Sequence, residues 1–205
     1  RDVFMIIPDK KPNFVGASLI AVLLKRLKVE RVYGLQGGHI QPIWDAFTRI
    51  GGTVIDVRDE RSAVHMAHAE AEFGRSLGVA MVTAGPGVTN AVTGIANAEK
   101  ARAPLLVIGG AVPRPQEGAG ALQEVRQIDV MRPITRAAIC IQNVKRIEQD
   151  FLLGVSSAKG DGGVPGPVFI EVPTDVLREP VFVLSDTGKS DFVPKVRVER
   201  ADPGS

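Results

Sequence analysis

Apolar and polar residues follow two alternating patterns along this chain. Short, nearly continuous apolar runs, such as residues 105–108, are typical of strands buried on both faces of a sheet. Longer segments space apolar residues three or four positions apart, as Leu19, Leu23 and Leu27 are, which is typical of amphipathic helices. These patterns predict strands over residues 32–35, 53–57, 79–82, 105–108, 136–141 and 167–172, and helices over residues 14–28, 40–47, 60–76, 88–100, 125–131 and 144–157.

Strands and helices alternate in this way from residue 14 to residue 172. The alternation predicts an α/β fold with a mostly parallel, doubly wound sheet and helices on both faces. Because the periodicity fails from about Leu184, we expect one domain over residues 13–183, preceded by an N-terminal extension over residues 1–12. Residues 184–205 are then a linker or tail toward a middle domain that this chain lacks. The chain does not start with Met, so we expect it to be trimmed or to belong to a longer parent.

Composition and charge narrow the class of protein. Hydrophobic residues make up 44% and charged residues 23% of the 205 residues, as in ordinary globular domains. The 25 basic and 23 acidic side chains are too balanced for a nucleic-acid-binding surface. No apolar run approaches the ~20 residues that a membrane span needs. The single cysteine, Cys140, lies in an apolar run, which predicts a buried structural thiol in a reducing, cytoplasmic setting.

Two predicted strands lead to residues that can form a ligand site. The strand 53–57 leads to Glu60 at the start of a helix, and the strand 79–82 leads to the turn Gly85-Pro86-Gly87. The carboxyl ends of parallel strands meet at the edge where open α/β sheets bind ligands. A carboxylate beside exposed backbone suits a flat, nitrogen-bearing ring better than a phosphate. Glu60 could instead stabilise the helix dipole, and the glycines could form a plain strand-to-helix turn.

Further motifs surround these residues in a fixed order. They are Arg58-Asp59-Glu60, His65-Met66-Ala67, Gly85-Pro86-Gly87 with Thr89-Asn90, Gly94-Ile95-Ala96-Asn97-Ala98, Pro104-Leu105-Leu106, Gly120-Ala121-Leu122-Gln123-Glu124, Arg132-Pro133-Ile134-Thr135, Pro165-Gly166-Pro167-Val168 and Glu171-Val172-Pro173-Thr174-Asp175. Their order and spacing resemble the pyrimidine-binding domain of thiamine-diphosphate enzymes of the acetolactate synthase and benzaldehyde lyase group. The resemblance covers residues 13–180. Each motif is weak alone, whereas all of them in order are specific.

The resemblance implies a thiamine diphosphate site. In that family the carboxyl that matches Glu60 hydrogen-bonds a ring nitrogen of the aminopyrimidine and favours its imino tautomer. That tautomer removes the proton from the thiazolium carbon, and the resulting carbanion attacks a carbonyl. The carboxyl must hold or share a proton, which requires a dry environment. The resemblance also implies cofactor binding by Gly37, Gly38, Gly85, Pro86, Gly87 and Asn90, although Asn90 could equally be a surface or capping amide.

One motif departs from the acetolactate synthase pattern. That group carries Pro-Gly-Gly followed by a small residue or Asn, whereas this chain has Gln36-Gly37-Gly38-His39-Ile40. Benzaldehyde lyase and the synthase-like 2-hydroxyacyl-CoA lyases resemble this chain here. In benzaldehyde lyase the His faces the substrate and works as an acid–base or orienting group, which makes His39 a catalytic candidate. Its alternative is a helix-start histidine that pairs with a carbonyl or solvent.

One further side chain and the question of a metal site complete the expected site. Gln123 matches a family glutamine that points into the active site, although it could be a plain loop amide. Family members bind Mg2+ and the diphosphate through Gly-Asp-Gly followed later by Asn. The segment 160–162 has that tripeptide, but no Asn occurs after Asn143, so we interpret it as a loop. His65 and His68 lack the further ligands of a metal site. We therefore expect no metal ligand in this chain and Mg2+ in a domain that it lacks.

These features predict one half of an active site. The function expected is that of a thiamine-diphosphate-dependent enzyme that forms or cleaves a carbon–carbon bond next to a carbonyl, acetolactate synthase-like or benzaldehyde lyase-like, on a 2-keto acid or 2-hydroxy ketone. The isolated fragment is expected to be inactive. The alternatives are a 2-keto acid decarboxylase or a 2-hydroxyacyl-CoA lyase, a non-catalytic module that retains the fold, and a nucleotide-binding Rossmann protein, which the glycine spacing disfavours.

The expected partners follow from the same resemblance. Active sites of the family form between subunits, so we expect a second copy of the chain in a homo-oligomer, and we expect neither nucleic acid nor a membrane as a partner. Ala63, Ala67 and Ala71 form a stripe of small residues at helical spacing. This stripe permits close helix contacts either across a dimer or within the domain.

Overall fold

The computed structural model describes residues 14–74 and 76–181. The predicted N-terminal extension (1–12) and tail (184–205) lie outside these residues. The described elements are α1 (Gly16–Arg26), β1 (Arg31–Gly34), α2 (Gln41–Arg49), β2 (Thr53–Asp56), α3 (Glu60–Gly74), β3 (Gly78–Val82), α4 (Pro86–Ala101), β4 (Leu105–Ala111), α5 (Gln127–Met131), β5 (Ala137–Cys140), α6 (Ile147–Lys159), β6 (Pro167–Pro173) and α7 (Thr174–Arg178).

The six described strands form one sheet in the order β2-β1-β3-β4-β6-β5. Every neighbouring pair is parallel. One buried cluster packs α1, α2 and α6 against one face of the sheet, and a second packs α3 and α4 against the other. The predicted α/β fold with a parallel, doubly wound sheet and helices on both faces is therefore confirmed.

The central strand β4 is buried along its whole length. The sequence predicted its end at Ile108, but the strand continues through Gly109 and Gly110 to Ala111. Both glycines are needed because other groups approach the strand closely at these positions. A Cβ added to Gly109 would lie 2.7 Å from the ring of Phe169, and one added to Gly110 would lie 2.7 Å from Cβ of His39. Gly109 and Gly110 thus allow Phe169 and His39 to pack directly on the strand.

The alanine stripe of α3 lies inside the domain. Ala63 and Ala67 are fully buried and Ala71 is 2% exposed within the single chain. They belong to the cluster that joins α3 to the sheet and to α4, and Gly78 of β3 packs directly under Ala67. The interpretation of this stripe as part of a dimer interface is therefore wrong. Small side chains are required here because α3 lies close to β3.

The strand order creates a crevice where the candidate residues meet. The chain passes from β1 outward to β2 and then returns to β3 on the other side of β1. The connections after β1 and β3 therefore diverge at the carboxyl edge of the sheet, at the kind of switch point where open α/β sheets bind ligands. His39 follows β1, Glu60 follows β2, and the Gly85 turn follows β3.

Candidate functional site

Helix α3 begins with a capping carboxylate that is distinct from the catalytic candidate. Oδ1 of Asp59 accepts the backbone N–H of Arg61 at 2.9 Å, and the Arg61 guanidinium donates to both oxygens of the same carboxylate. The guanidinium and then the backbone N–H of Arg61 lower the pKa of Asp59 from 3.8 to about 2. Because Asp59 supplies the cap, Glu60 is left to make contacts outside its own helix.

Glu60 faces helix α4 from a buried position. Its residue is only 6% exposed, and its Oε2 accepts a hydrogen bond from Nδ2 of Asn90 at 3.0 Å. Its other oxygen, Oε1, would lie 3.3 Å from a Cβ added to Gly87. Asn90 is an exposed residue, as its surface alternative expected, but its amide is hydrogen-bonded to Glu60 rather than capping a helix. It orients one oxygen of the carboxylate, while the other faces the glycine turn.

The turn before α4 has a backbone shape that requires glycine. Gly85 has φ 63° and ψ −110°, and the backbone of Gln123 lies directly over it, where any Cβ would collide with the Gln123 carbonyl. The carbonyl of Gly85 accepts the N–H of Thr89 at 2.9 Å. Pro86 is exposed and starts α4, where its missing N–H is not needed. The turn therefore presents main chain, rather than side chains, to the crevice.

Thr83 connects the two glycine segments of the site. It lies at the end of β3, 7% exposed, between Gly37 and Gly87. A Cβ on Gly37 would collide with the Thr83 side chain, and one on Gly87 would lie 2.9 Å from its Cγ2. The hydroxyl oxygen of Thr83 is buried and has no hydrogen-bond partner among the described residues. A polar atom of a ligand, or an ordered water, can satisfy such a group.

His39 and Gln123 form a pair at the rim of the crevice. Nδ1 of His39 lies 3.0 Å from Oε1 of Gln123, although 84 positions separate the residues. The Gln123 oxygen can only accept, so this contact is a hydrogen bond in the tautomer that carries its proton on Nδ1. Gln123 itself has φ 66°, a left-handed conformation that its position over Gly85 imposes. Gly38, by contrast, is exposed and faces open space.

All nine predicted site residues therefore lie at one end of the sheet, linked by contacts from Glu60 to Gly87, from Gly85 to Gln123 and from Gln123 to His39.

The sequence analysis did not identify Thr83 and Gln127 as part of the site. Thr83 directly precedes the recognised turn and could have been included on that ground. Gln127 is 2% exposed and hydrogen-bonds Gly85, but nothing in its local sequence distinguishes it from a surface glutamine.

A cavity of about 390 Å3 opens beside Gln123, at the ends of β4, β5 and β6. Its walls include Cys140, Gln142 and Glu171. Cys140 is only partly buried, not fully buried as expected, yet burial and then the Glu171 carboxylate raise the pKa of its thiol to about 12. The thiol therefore stays protonated at neutral pH and is a poor nucleophile.

The candidate metal motifs take structural roles. His68 is buried between Glu72, 3.0 Å from its Nε2, and Asn97, 3.2 Å from its Nδ1, whereas His65 is exposed. The segment 160–162 forms the turn that ends α6, as the interpretation as a loop predicted. Within residues 14–74 and 76–181, no group of three or more His, Cys, Asp or Glu residues is arranged to hold a metal ion.

No helix in the same part of the chain is long and apolar enough to cross a membrane.

The cluster fits a flat heterocycle such as an aminopyrimidine. A Cβ added at position 37, 85 or 87 would meet Thr83 or Gln123, so the close packing around the site requires glycine at each of these positions. Glu60 offers one carboxylate oxygen in a nearly dry position, and Thr83 offers a buried hydroxyl without a partner among the described residues. A ring nitrogen and an exocyclic amino group are suitable partners for a carboxyl and a main-chain carbonyl.

Known proteins are similar to this chain over most of its length. It is 41% identical over 180 residues to 2-hydroxyacyl-CoA lyase 2 of Caenorhabditis elegans, which covers 88% of this chain and 28% of that protein. It is 40% identical over 169 residues to the Homo sapiens protein of the same name, covering 82% and 26%. It is 37% identical over 166 residues to acetolactate synthase isozyme 3 large subunit of Escherichia coli K12, covering 80% and 28%.

This chain thus spans little more than a quarter of the length of these curated relatives. Residues 14–130 match the family described as thiamine pyrophosphate enzyme, N-terminal TPP binding domain, where thiamine pyrophosphate is another name for thiamine diphosphate. The match contains every residue of the cluster, from Gly37 to Gln127, and covers more than half of the chain. The chain therefore belongs to the family of N-terminal thiamine pyrophosphate-binding domains of thiamine pyrophosphate enzymes.

Proposed function

We propose that this chain supplies the pyrimidine-binding half of an active site that cleaves a carbon–carbon bond next to a carbonyl in a 2-hydroxy substrate. The observation that carries this proposal is the His39–Gln123 pair beside the glycine turn. A histidine whose Nδ1 donates to an acceptor leaves Nε2 free to accept a proton from a substrate. The substrate class is a 2-hydroxyacyl thioester or a 2-hydroxy ketone.

Glu60 is proposed to share a proton with a ring nitrogen of the cofactor. Because Asn90 holds Oε2 at 3.0 Å, Oε1 is the oxygen available for this bond. The Glu60 residue is 6% exposed, so its carboxyl is largely shielded from water. When bound, thiamine diphosphate supplies the carbon nucleophile that attacks the substrate carbonyl. The main chain of Gly37, Gly85 and Gly87 is proposed to fix the plane of the ring.

His39 is proposed to take the hydroxyl proton of the substrate. As the carbon–carbon bond breaks, the hydroxyl oxygen becomes the carbonyl oxygen of a released aldehyde, and its proton moves to Nε2 of the imidazole. Gln123 holds the opposite ring nitrogen and thereby fixes which nitrogen faces the substrate. In the reverse direction the same imidazole returns the proton, so the pair also serves carboligation.

The relatives support this proposal over its alternatives. Several are named 2-hydroxyacyl-CoA lyase 2 and are 38–41% identical to this chain, whereas the acetolactate synthase subunits are 36–37% identical. An acetolactate synthase-like or benzaldehyde lyase-like carboligase is the second candidate, because the same cluster also suits addition to a second carbonyl compound. A 2-keto acid decarboxylase or a non-catalytic module is a weaker alternative, because each leaves the His39–Gln123 pair without a role.

The proposal also covers the metal and diphosphate site, the partners and the compartment of the protein. Mg2+ and the diphosphate are bound by a domain beyond this chain, and a second copy of the chain completes the site. Neither nucleic acid nor a membrane is a partner, in keeping with the balanced charge. The single cysteine with its protonated thiol suits a reducing compartment such as the cytoplasm.

The test of this function is a substrate comparison in the full-length protein with thiamine diphosphate and Mg2+. A 2-hydroxyacyl-CoA, a benzoin-type 2-hydroxy ketone and pyruvate are supplied separately. We expect release of an aldehyde from at least one of the two hydroxy substrates and little acetolactate from pyruvate. Acetolactate without any aldehyde would replace the lyase by the synthase, and no product from all three would reject both. The isolated chain, tested in parallel by calorimetry, should bind the cofactor weakly or not at all.

A further inference from the structure

Gln127 lies at the first position of α5 and is almost completely buried, at 2% exposure. Its Oε1 accepts the backbone N–H of Gly85 at 2.7 Å. Its Nε2 donates to the carbonyl of Gly110 at 3.0 Å and to Oε2 of Glu171 at 2.6 Å. One side-chain amide therefore ties together the turn after β3, the strand β4 and the strand β6.

The orientation of this amide is fixed by its three partners. The group of Gly85 that faces Gln127 is its N–H, which must meet the amide oxygen, whereas the facing groups of Gly110 and Glu171 are oxygens and must meet the nitrogen. Both hydrogens of the nitrogen are used. Buried polar networks in which every member is satisfied hold a single geometry, because any rearrangement leaves a group unpaired.

The group that Gln127 holds is part of the candidate cofactor site. Gly85 has a backbone conformation that only glycine adopts readily, and its N–H points away from the crevice toward Gln127. The backbone of Gln123 covers the other side of Gly85, and the Gln123 side chain contacts His39. Gln127 thus fixes the turn on which both the ring-facing main chain and the His39–Gln123 pair depend.

We propose that Gln127 is a positioning residue of the active site, acting through Gly85 and Gln123 and through its bond to Glu171. This inference rests on the proposed function for its catalytic consequences. Gln127 hydrogen-bonds Gly85, Gly110 and Glu171 rather than Glu60 or His39, and it lines the 390 Å3 cavity together with Gln123. Its effect on the cofactor is therefore indirect, by holding the Gly85 turn in the shape that the ring requires.

The first test removes the amide without changing the side-chain length. Gln127→Met in the full-length protein is compared with Gln142→Met, the same change at an exposed wall of the same cavity with no bond to Gly85. We expect Gln127→Met to raise the dissociation constant for thiamine diphosphate about tenfold and to lower kcat by roughly ten- to a hundredfold, the scale of small misplacements. Gln142→Met should change neither.

The second test exchanges donor and acceptor. Gln127→Glu keeps an acceptor for Gly85 but places two carboxyl groups together, so its loss of cofactor affinity should be larger at pH 8 than at pH 5.5, where the pair can share a proton. Glu171→Gln alone should be mild, because its new oxygen can still accept from Gln127. The double exchange Gln127→Glu with Glu171→Gln should recover at pH 8 the part of the loss that arises from the two carboxyl groups, but not the part that arises at the carbonyl of Gly110, which loses its donor in both variants.

The third test follows the Gly85 amide itself and needs no turnover. Hydrogen exchange is measured by mass spectrometry in the cofactor-free full-length protein, for peptides covering residues 83–88 and 78–82. We expect Gln127→Met to speed exchange only in the first peptide, since β3 keeps its own ladder. Faster hydrogen exchange in every peptide would show that Gln127 only stabilises the fold in general. The same conclusion would follow if the double substitution recovered none of the lost cofactor affinity.

These tests separate the positioning role from the proposed function. If the unmodified full-length protein neither binds thiamine diphosphate nor turns over any substrate, the proposed function fails, while local exchange at residues 83–88 still reports whether Gln127 holds the turn. If the unmodified protein binds and works, but Gln127→Met keeps its affinity and kcat within twofold, the positioning role is rejected alone.

Discussion

Asn90 donates its side-chain amide to Oε2 of Glu60 at 3.0 Å, from one helix to the next, across 30 positions of sequence. The bond is made at the start of both helices, next to the ends of β2 and β3. It leaves Oε1 of the carboxyl directed toward Gly87. Since Asp59 caps α3 by itself, the position of Glu60 reflects the needs of the crevice more than those of its helix.

Glu60→Gln is the most direct test of this arrangement. Gln preserves the shape of Glu and its oxygen can still accept from Asn90, so the fold should be retained. It cannot share an acidic proton with a ring nitrogen. In the full-length protein we expect kcat, and proton exchange at the reactive carbon of the cofactor, to fall by about a hundred- to ten-thousandfold. Proton exchange is followed by NMR after quenching.

The control for this prediction is the neighbouring carboxylate. Asp59→Asn removes a charge one position away while keeping an acceptor for the Arg61 N–H. Its proton-exchange rate should stay near that of the unmodified protein. Unchanged exchange in Glu60→Gln would show that Glu60 is only a carboxylate at a helix start.

Gly85→Ala and Gly38→Ala form a matched pair within the two glycine segments. Alanine at position 85 meets both a left-handed φ of 63° and the carbonyl of Gln123. We expect it to lower the free energy of unfolding by about 2–5 kcal/mol. Gly38 has no atom within 4 Å of an added Cβ, so alanine there should change the stability by about 0.5 kcal/mol or less. Denaturant unfolding of the chain measures both, and equal effects would contradict the close approach of Gln123.

The Asp59–Arg61 pair makes stability depend on pH in acid. The pKa of Asp59 is lowered to about 2 in the folded chain from an ordinary value of 3.8. A lowered pKa means that the ionised carboxylate favours folding above about pH 3.8, and that this contribution is lost as the pH falls toward 2. Asp59→Asn should therefore be less stable than the unmodified chain at neutral pH, and the difference should shrink between pH 4 and pH 2. A difference that is constant over this range would rule out the charge as its source.

The fold was predictable because local patterns decide it, whereas the candidate site residues were taken from an ordered set of motifs that resembles a known family. The buried run of β4 and the spacing of the helical leucines needed no tertiary information. The short helix α7 was missed because it spans only Thr174–Arg178 and lacks a full apolar period. Its position depends on a distant contact, the bond from the Thr174 hydroxyl to the carbonyl of Ala111 at 2.7 Å.

The unpredicted part of the site depends on contacts between distant segments. Gln127 is recognisable only when β4, β6 and the Gly85 turn are placed around it, 17 to 44 positions away in sequence. The alanine stripe of α3 failed as a prediction for a related reason. A sequence shows that Ala67 permits close approach, but only the position of Gly78 in β3 shows what approaches it.

His39→Ala tests whether this protein cleaves hydroxy substrates or joins keto acids. In the proposed cleavage, Nε2 accepts the hydroxyl proton of the substrate while Gln123 holds Nδ1 at 3.0 Å. Alanine removes that base, so cleavage of the accepted hydroxy substrate by the full-length protein should fall about a hundredfold or more. Cofactor affinity should be nearly unchanged, because in the proposed arrangement the ring packs against glycine main chain and Glu60. A protein that ignores hydroxy substrates, and makes acetolactate equally well with and without His39, is a synthase rather than a lyase.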